Sequence, residues 1–226
     1  MEENRRPVAS RDTNWATRIS SWLKNKGVMP NTISIFSSVF AIVGAIAFIM
    51  STCSESALHR GLWLALALIG ILGRLCCNLF DGMVAVEGGL KSPAGELFND
   101  IPDRVSDLVL LVTAGYVAAQ GMANPTLWIQ LGWAAGALAI MSAYLRFLGA
   151  AQGVGHFFLG PFAKQQRMAL LNVACVLSVA LEPHLLTVGT IFRISIAVLV
   201  LGTAVTCIRR TRAVAAALNK RAKDAK

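Results

Sequence analysis

The chain has 226 residues, 55% of them hydrophobic and 15% charged, whereas soluble domains carry about 25% charged residues, so a soluble globular protein is disfavoured. Twenty-one Lys and Arg against twelve Asp and Glu give a formal charge of +9, which suits nucleic acid or an anionic membrane surface, and the distribution of apolar residues decides for the membrane. Five cysteines with no CxxC spacing indicate neither a disulfide framework nor a zinc cage.

Residues 1–26 are polar and charged and lack the apolar core and small-residue cleavage site of a secretory signal, so the first membrane span is expected to act as its own signal. Within them, Asn14 to Lys26 places Trp15, Ile19, Trp22 and Leu23 at i, i+4, i+7 and i+8, with Arg18, Lys24 and Lys26 elsewhere on the wheel. That spacing predicts an amphipathic helix lying in the cytoplasmic interface. A hydrocarbon core of about 30 Å needs roughly 20 apolar residues, and six runs approach that length. They are Thr32 to Met50, Gly61 to about Glu87, Glu96 to about Ala119, Leu127 to Leu145, Gln166 to Leu181, and Leu185 to Ile208.

The expected fold is therefore an all-α integral membrane protein with six transmembrane helices, an N-terminal amphipathic interfacial helix and both termini cytoplasmic. Residues 1–31 form the cytoplasmic tail and juxtamembrane helix, 32–208 the six-helix membrane domain, and 209–226 a basic cytoplasmic tail. Orientation follows from Lys and Arg: Arg5, Arg6, Arg11, Arg18, Lys24 and Lys26 precede the first span, and Arg209, Arg210, Arg212, Lys220, Arg221, Lys223 and Lys226 follow the last. Lys91, Lys164 and Arg167 then also face the cytoplasm, leaving Arg60 and Arg193 near the far side. The tail from Arg209 reads as a solvated positive flank attracted to anionic lipid.

Six of the twelve acids fall between residues 81 and 107: Asp81, Glu87, Glu96, Asp100, Asp103 and Asp107. A charge at a membrane-helix centre costs about 3 kcal/mol on insertion scales, so carboxylates there mark a functional site with partners. Counted inward from Gly61 and Gln120 at 1.5 Å per residue, Arg74 and Asp107 both fall about 20 Å in, and Asn78 and Asp103 about 26 Å in. Arg74 is thus expected to pair with Asp107. Asn78 and Asp81 stand at i, i+3, and Asn99, Asp103 and Asp107 at i, i+4, i+8, so each set lines one helix face. Carboxylate and amide oxygens without His or Cys suit hard cations such as Mg²⁺ or Mn²⁺. Gly82, Ala85 and Gly95 continue these faces with almost no side chain, and Pro102 leaves the Phe98 carbonyl without its helical donor.

Asn78-Leu-Phe-Asp81-Gly82-Met-Val-Ala85-Val86, then eight residues to Gly95, then Asn99 and Asp103, resembles the signature of the CDP-alcohol phosphatidyltransferase family, D-x2-D-G-x2-A-R-x8-G-x3-D-x3-D. Asp81, Gly82, Ala85, Gly95 and Asp103 match in register, while Asn78 and Asn99 replace the first and third aspartates and Val86 the arginine. Pro30 to Ser34 resembles the family's entry to its first span, Tyr144-Leu-Arg146 followed by Gly153 the end of its fourth, and Gly160 to Arg167 its basic loop before the fifth.

The resemblance implies a six-helix fold with a cytoplasm-facing polar cavity that transfers a phosphatidyl or related group from a CDP-linked lipid to an alcohol, releasing CMP. By resemblance Asn78, Asp81, Asn99 and Asp103 take the metal positions, with one or two Mg²⁺ or Mn²⁺ ions. Asn78, Asp81, Gly82, Ala85 and Gly95 take the nucleotide side, and Asp103 the general base. Arg146, Lys164 and Arg167 would bind a phosphate on the acceptor, with Arg74 and Asp107 in support. The implied partners are CDP-diacylglycerol or a related CDP-alcohol, a small alcohol or phosphoalcohol acceptor, the bilayer and a second copy of the chain; nucleic acid is not among them. The implied location is a bacterial-type cytoplasmic (inner) membrane, with the active site facing the cytoplasm. Asn78, Asn99 and Val86 favour an alternative, a non-catalytic membrane protein binding a nucleotide-lipid or anionic lipid in the same cavity.

Overall fold

The computed structural model describes residues 13–87, 89, 95–182 and 184–224, without the side chains of Glu87 and Glu96. Arg5, Arg6, Arg11, Lys91 and Lys226, counted above for orientation, lie outside the described residues. Among the described residues seven helices follow one another: α1 Asn14–Asn25, α2 Pro30–Thr52, α3 Ala57–Glu87, α4 Gly95–Ala118, α5 Thr126–Ala151, α6 Lys164–Leu181 and α7 Thr190–Asp224. Among the described residues, α2, α3, α5 and α7 are long and apolar enough to cross a membrane. Helices α4 and α6 miss that standard for reasons visible in their sequence: α4 carries Asp100, Asp103, Arg104 and Asp107 in its first half, and α6 gives its first four residues to Lys164, Gln165, Gln166 and Arg167.

The chain divides into two compact units, the first running to Leu110 and the second starting at Leu111. In the first, α1 turns its small residues inward. Ala16 and Ser20 are buried while Trp15, Ile19 and Trp22 stay exposed, and the Trp15 ring meets Phe80 of α3 edge-on at 5.9 Å. The large apolar side chains are thereby left for the membrane interface. Pro30 starts α2, where a missing N–H costs nothing. The buried face of α2 includes Ser34, Ser37, Ala41 and Gly44, a stripe of small residues spaced by three or four. Close backbone approach follows: a Cβ on Gly70 of α3 would sit 2.7 Å from the Phe40 carbonyl oxygen and 2.9 Å from the Gly44 Cα. Small residues at such a crossing let two membrane helices touch backbone to backbone.

The second unit holds the end of α4 with α5, α6 and α7. At the far end of its helices, Glu182 is buried, and its carboxylate accepts from Ser178 Oγ at 2.6 Å and from the Ile191 amide at 3.0 Å. It therefore supplies an anion to the first turn of α7, where unpaired N–H groups and the helix dipole favour one. Arg193 donates to the carbonyls of Ala118 and Gln120 at 3.3 and 3.0 Å, closing the C-terminus of α4. The connection between α5 and α6 docks on α7. Gly160 takes a φ of +109° against Thr206, whose hydroxyl accepts from the Phe162 amide at 3.1 Å.

Two boundaries differ from those expected. Leu185 to Gly189 precede α7 instead of opening it, because Gly189 has a φ of +82° and ends any helical run there. At the other end α7 continues unbroken to Asp224, so the basic segment from Arg209 is helical. Its stretch from Ala213 to Leu218 is rich in Ala, the residue of highest intrinsic helix propensity.

Candidate functional site

The first unit gathers the polar residues of α3 onto a bed of α2 hydroxyls. Ser34 Oγ donates to Asp81 Oδ2 at 2.8 Å, and Ser37 Oγ donates to Asn78 Oδ1 at 3.1 Å. Two residues at i, i+3 on α2 thus meet two at i, i+3 on the antiparallel α3, which sets the register of both faces. Asp81 is 4% exposed and Asn78 half-buried. A buried carboxylate needs such donors, since an uncompensated one is driven to neutralise.

Arg74, fully buried one turn before Asn78, ties this face to α4. Its Nη2 donates to Asp107 Oδ1 at 2.6 Å and to the Asp103 carbonyl at 3.2 Å, and stands 3.5 Å from Asp103 Oδ1. The pairing expected from equal depth is therefore in place, and it extends to Asp103, which is 5% exposed. Asp103 and Asp107 are one turn apart, so one guanidinium reaches both. Arg104, on a different side of α4, bonds to Asp100 Oδ1 at 3.2 Å. Asn99 stands half-buried one turn before Asp103, and Gly95 opens α4. Gly82 and Ala85 are half-buried on the α3 face, while Val86 is exposed.

Hard-cation chemistry is tested by the donor atoms themselves. Among the described residues no three His, Cys, Asp or Glu side chains cluster as metal ligands. Asp81 and Asp103 supply carboxylate oxygens, and Asn78 and Asn99 can add neutral amide oxygens, a set fitted to Mg²⁺ or Mn²⁺ but weaker than four carboxylates. The Asn78 Nδ2 is buried without a hydrogen-bond partner. Turning that amide over would let Nδ2 donate to Ser37 Oγ, whose hydrogen then goes to the Arg74 carbonyl 3.5 Å away, and would free the amide oxygen. The orphaned donor and a ligand role for the oxygen are resolved by the same rotation.

The second unit carries the basic set. Arg146 is half-buried, its guanidinium over the rings of Phe147 and Phe158 at 4.7 and 5.7 Å. Lys164 begins α6 and is half-buried. Arg167 is 1% exposed and donates to the Phe162 carbonyl at 2.9 Å and Ser142 Oγ at 3.4 Å. Arg210, 4% exposed, joins it: Nε donates to the Leu159 carbonyl at 3.0 Å and Nη1 to the Ser142 carbonyl. After Asp107 the chain has only two acids, Glu182 and Asp224, and Glu182 is held at the start of α7. The cations thus accumulate in a unit almost without carboxylates.

The roles of three of these residues escape a reading by motif. Ser34 and Ser37 support the α3 face; Ser34 closes the Pro30 to Ser34 stretch, but the signal for a supporting role is a hydroxyl pair at i, i+3 in a charge-free apolar run. Arg210 lies just past the last apolar stretch, where positive-inside accounting hides it among neighbours such as Arg209 and Arg212.

No protein-family model and no curated protein matches the chain. Solved structures do. Mycobacterium tuberculosis phosphatidylinositol phosphate synthase with CDP-DAG bound aligns at a TM-score of 0.69, with 16% identity over 89% of this chain and 94% of that one. The same synthase with manganese and citrate aligns at 0.68, with 16% identity over 88% of each chain. Its apo form aligns at 0.65, with 17% identity over 87% of this chain and 94% of the other. At this identity the likeness is one of fold, and the chain has the fold of a CDP-alcohol phosphatidyltransferase.

Proposed function

We propose that the chain is a membrane transferase of phospholipid synthesis, which moves a phosphatidyl group from a CDP-linked lipid to an alcohol acceptor and releases CMP. The observation that carries this reading is the Arg74 bridge, which joins α3 bearing Asn78 and Asp81 to α4 bearing Asn99 and Asp103. Asp81, Gly82, Ala85, Gly95 and Asp103 stand in the register of the family signature, and the fold is similar to that of a synthase solved with CDP-DAG and with manganese. We read the protein as six-spanning, cytoplasm-facing at both ends and at its site, housed in a bacterial-type inner membrane, and homodimeric.

In this reading Asp103 accepts the acceptor's hydroxyl proton, with Arg74 fixing its orientation. Asp81, held by Ser34, and the amides of Asn78 and Asn99 would hold Mg²⁺ or Mn²⁺, which when bound supplies charge neutralisation to the diphosphate. Gly82, Ala85 and Gly95 leave backbone accessible to the nucleotide. Arg146, Lys164, Arg167 and Arg210 favour an acceptor that carries a phosphate, because cations gathered in a unit nearly free of acids attract an anion. Positioning and electrostatics carry most of such a transfer.

The test is CMP release from CDP-diacylglycerol by the purified protein in lipid, with a panel of alcohol and phosphoalcohol acceptors, with Mn²⁺ or EDTA. Acceptor-dependent, EDTA-sensitive release is expected. Donor binding without turnover for any acceptor would favour a non-catalytic protein that keeps the cavity for a nucleotide-lipid, a reading supported by Val86 and the two amides.

A further inference from the structure

We propose that the helical extension of α7, residues 211–224, positions the acceptor-phosphate residues, with Arg221 as its positioning residue. This rests on the phosphate-binding reading of Arg146, Lys164 and Arg167 above and adds what holds them in place. One face of α7 carries Gly202, Thr206, Arg210, Val214 and Arg221, at i, i+4, i+8, i+12 and i+19. Each of them meets α5 or the connection from α5 to α6. A Cβ on Gly202 would collide with the Phe162 ring, Thr206 accepts from the Phe162 amide, and Arg210 donates to the Leu159 carbonyl. Val214 is buried against Gly149, where an added Cβ would stand 3.2 Å from Val214 Cγ2. Arg221 Nη1 donates to the Gln152 carbonyl at 2.6 Å. The extension thus continues the contact face of the apolar part of the helix.

The two halves of that face hold opposite ends of the connection. Thr206 and Arg210 hold its later end, at Leu159 and Phe162, and Val214 and Arg221 hold its start. There α5 closes with Gly153 at a φ of +71°, its amide on the Ala150 carbonyl at 2.9 Å and the Val154 amide on the Gly149 carbonyl at 3.0 Å. Gln152 is the cap residue, and its carbonyl takes the arginine, a cation that the helix dipole favours at this end. Beyond it Gly155 is again left-handed, with a φ of +95°, so the backbone itself is weakly restrained and depends on contacts from outside. Between the two held ends lie His156 and Phe158, their rings stacked at 6.2 Å, and Phe158 faces the Arg146 guanidinium at 5.7 Å. A shift at Gln152 therefore reaches Arg146 through Phe158.

The test uses the full-length protein in lipid nanodiscs without donor, with inorganic phosphate as the probe, read by calorimetric titration and by amide hydrogen exchange. Arg221→Ala should speed exchange in residues 152–156 and weaken phosphate binding about 5-fold, the scale of one hydrogen bond, and Arg221→Lys should restore much of both. In an Arg146→Ala background Arg221→Ala should cost no further affinity, because its effect passes through Arg146. Unchanged exchange would overturn the inference, as would faster exchange with unchanged phosphate affinity, or losses at 146 and 221 that simply add. An unaltered protein that binds no phosphate would overturn it together with the phosphorylated-acceptor part of the proposed function. The CMP-release assay separates the failures: release with an unphosphorylated alcohol would leave the transferase standing without this inference. Phosphate binding that responds to Arg221→Ala as expected, with no release for any acceptor, would uphold the inference and remove the transferase.

Discussion

Buried arginines serve opposite ends in the two units. In the first, Arg74 lies against carboxylates, 2.6 Å from Asp107 and 3.5 Å from Asp103, so its charge is cancelled where it sits. In the second, Arg167 and Arg210 donate to the carbonyls of Phe162, Leu159 and Ser142. Hydrogen bonding and charge balance are separate requirements, and carbonyls meet only the first. The first region sets carboxylates beside its arginine, whereas the second gathers its cations in a stretch with only two acids, Glu182 and Asp224.

The comparison breaks most sharply at Asp103. Asp103→Asn keeps the shape and removes the base, and CMP release should fall on the order of 10³-fold while the protein stays folded, since positioned bases contribute about 10²–10⁴-fold. Wild-type-like release would remove Asp103 from the base role. Next comes the ion pair itself. Asp107→Leu leaves a fully buried guanidinium without its closest carboxylate and should cost about 3–5 kcal/mol of stability, measured as detergent-solubilised thermal unfolding. Arg74→Met with Asp107→Leu removes both charges and should recover most of that loss. Failure to recover would show that Arg74 also does work at Asp103 that a methionine cannot do.

On the positive side, Arg210→Ala should raise the KM for a phosphorylated acceptor about 10–100-fold, the range of a lost charge-assisted hydrogen bond of roughly 1.5–3 kcal/mol, and leave the donor KM unchanged. An equal rise in both would mean that Arg210 acts only by holding the Leu159 carbonyl. Arg210→Lys keeps the charge and loses the planar fork, so partial rescue would assign the effect to charge.

Much of this was legible in the sequence because its signals are one-dimensional. Helix spacing places Asn78 with Asp81 and Asn99 with Asp103, and equal depth in antiparallel spans is enough to pair Arg74 with Asp107. The reach of Arg74 to Asp103 was not legible, since it depends on which way a long side chain turns between two carboxylates one turn apart. Nor was the role of Arg210, because a basic residue past the last apolar run looks the same whether it faces solvent or lies buried against Ser142. The continuation of α7 past Arg209 was not legible for a related reason: composition marks a segment as polar but does not say whether a helix entering it stops.

The smallest effect is expected at the hydroxyls under α3. Ser34→Ala removes one donor from Asp81, whose carboxylate is almost wholly buried, and Ser37→Ala removes one from the Asn78 amide. The two losses differ in kind. A charged acceptor forfeits more than a neutral one, so Ser34→Ala should weaken Mn²⁺ binding about 10-fold, as loss of an outer-shell partner does. Ser37→Ala should weaken it less, because the amide oxygen it frees can turn to the ion, although Nδ2 then has no hydroxyl to donate to. Manganese titration of the two variants side by side reads the difference. If Ser37→Ala proved the more damaging, the hydroxyl would be needed to hold the Asn78 oxygen toward the metal, and the amide would be a stronger ligand than its neutral charge implies.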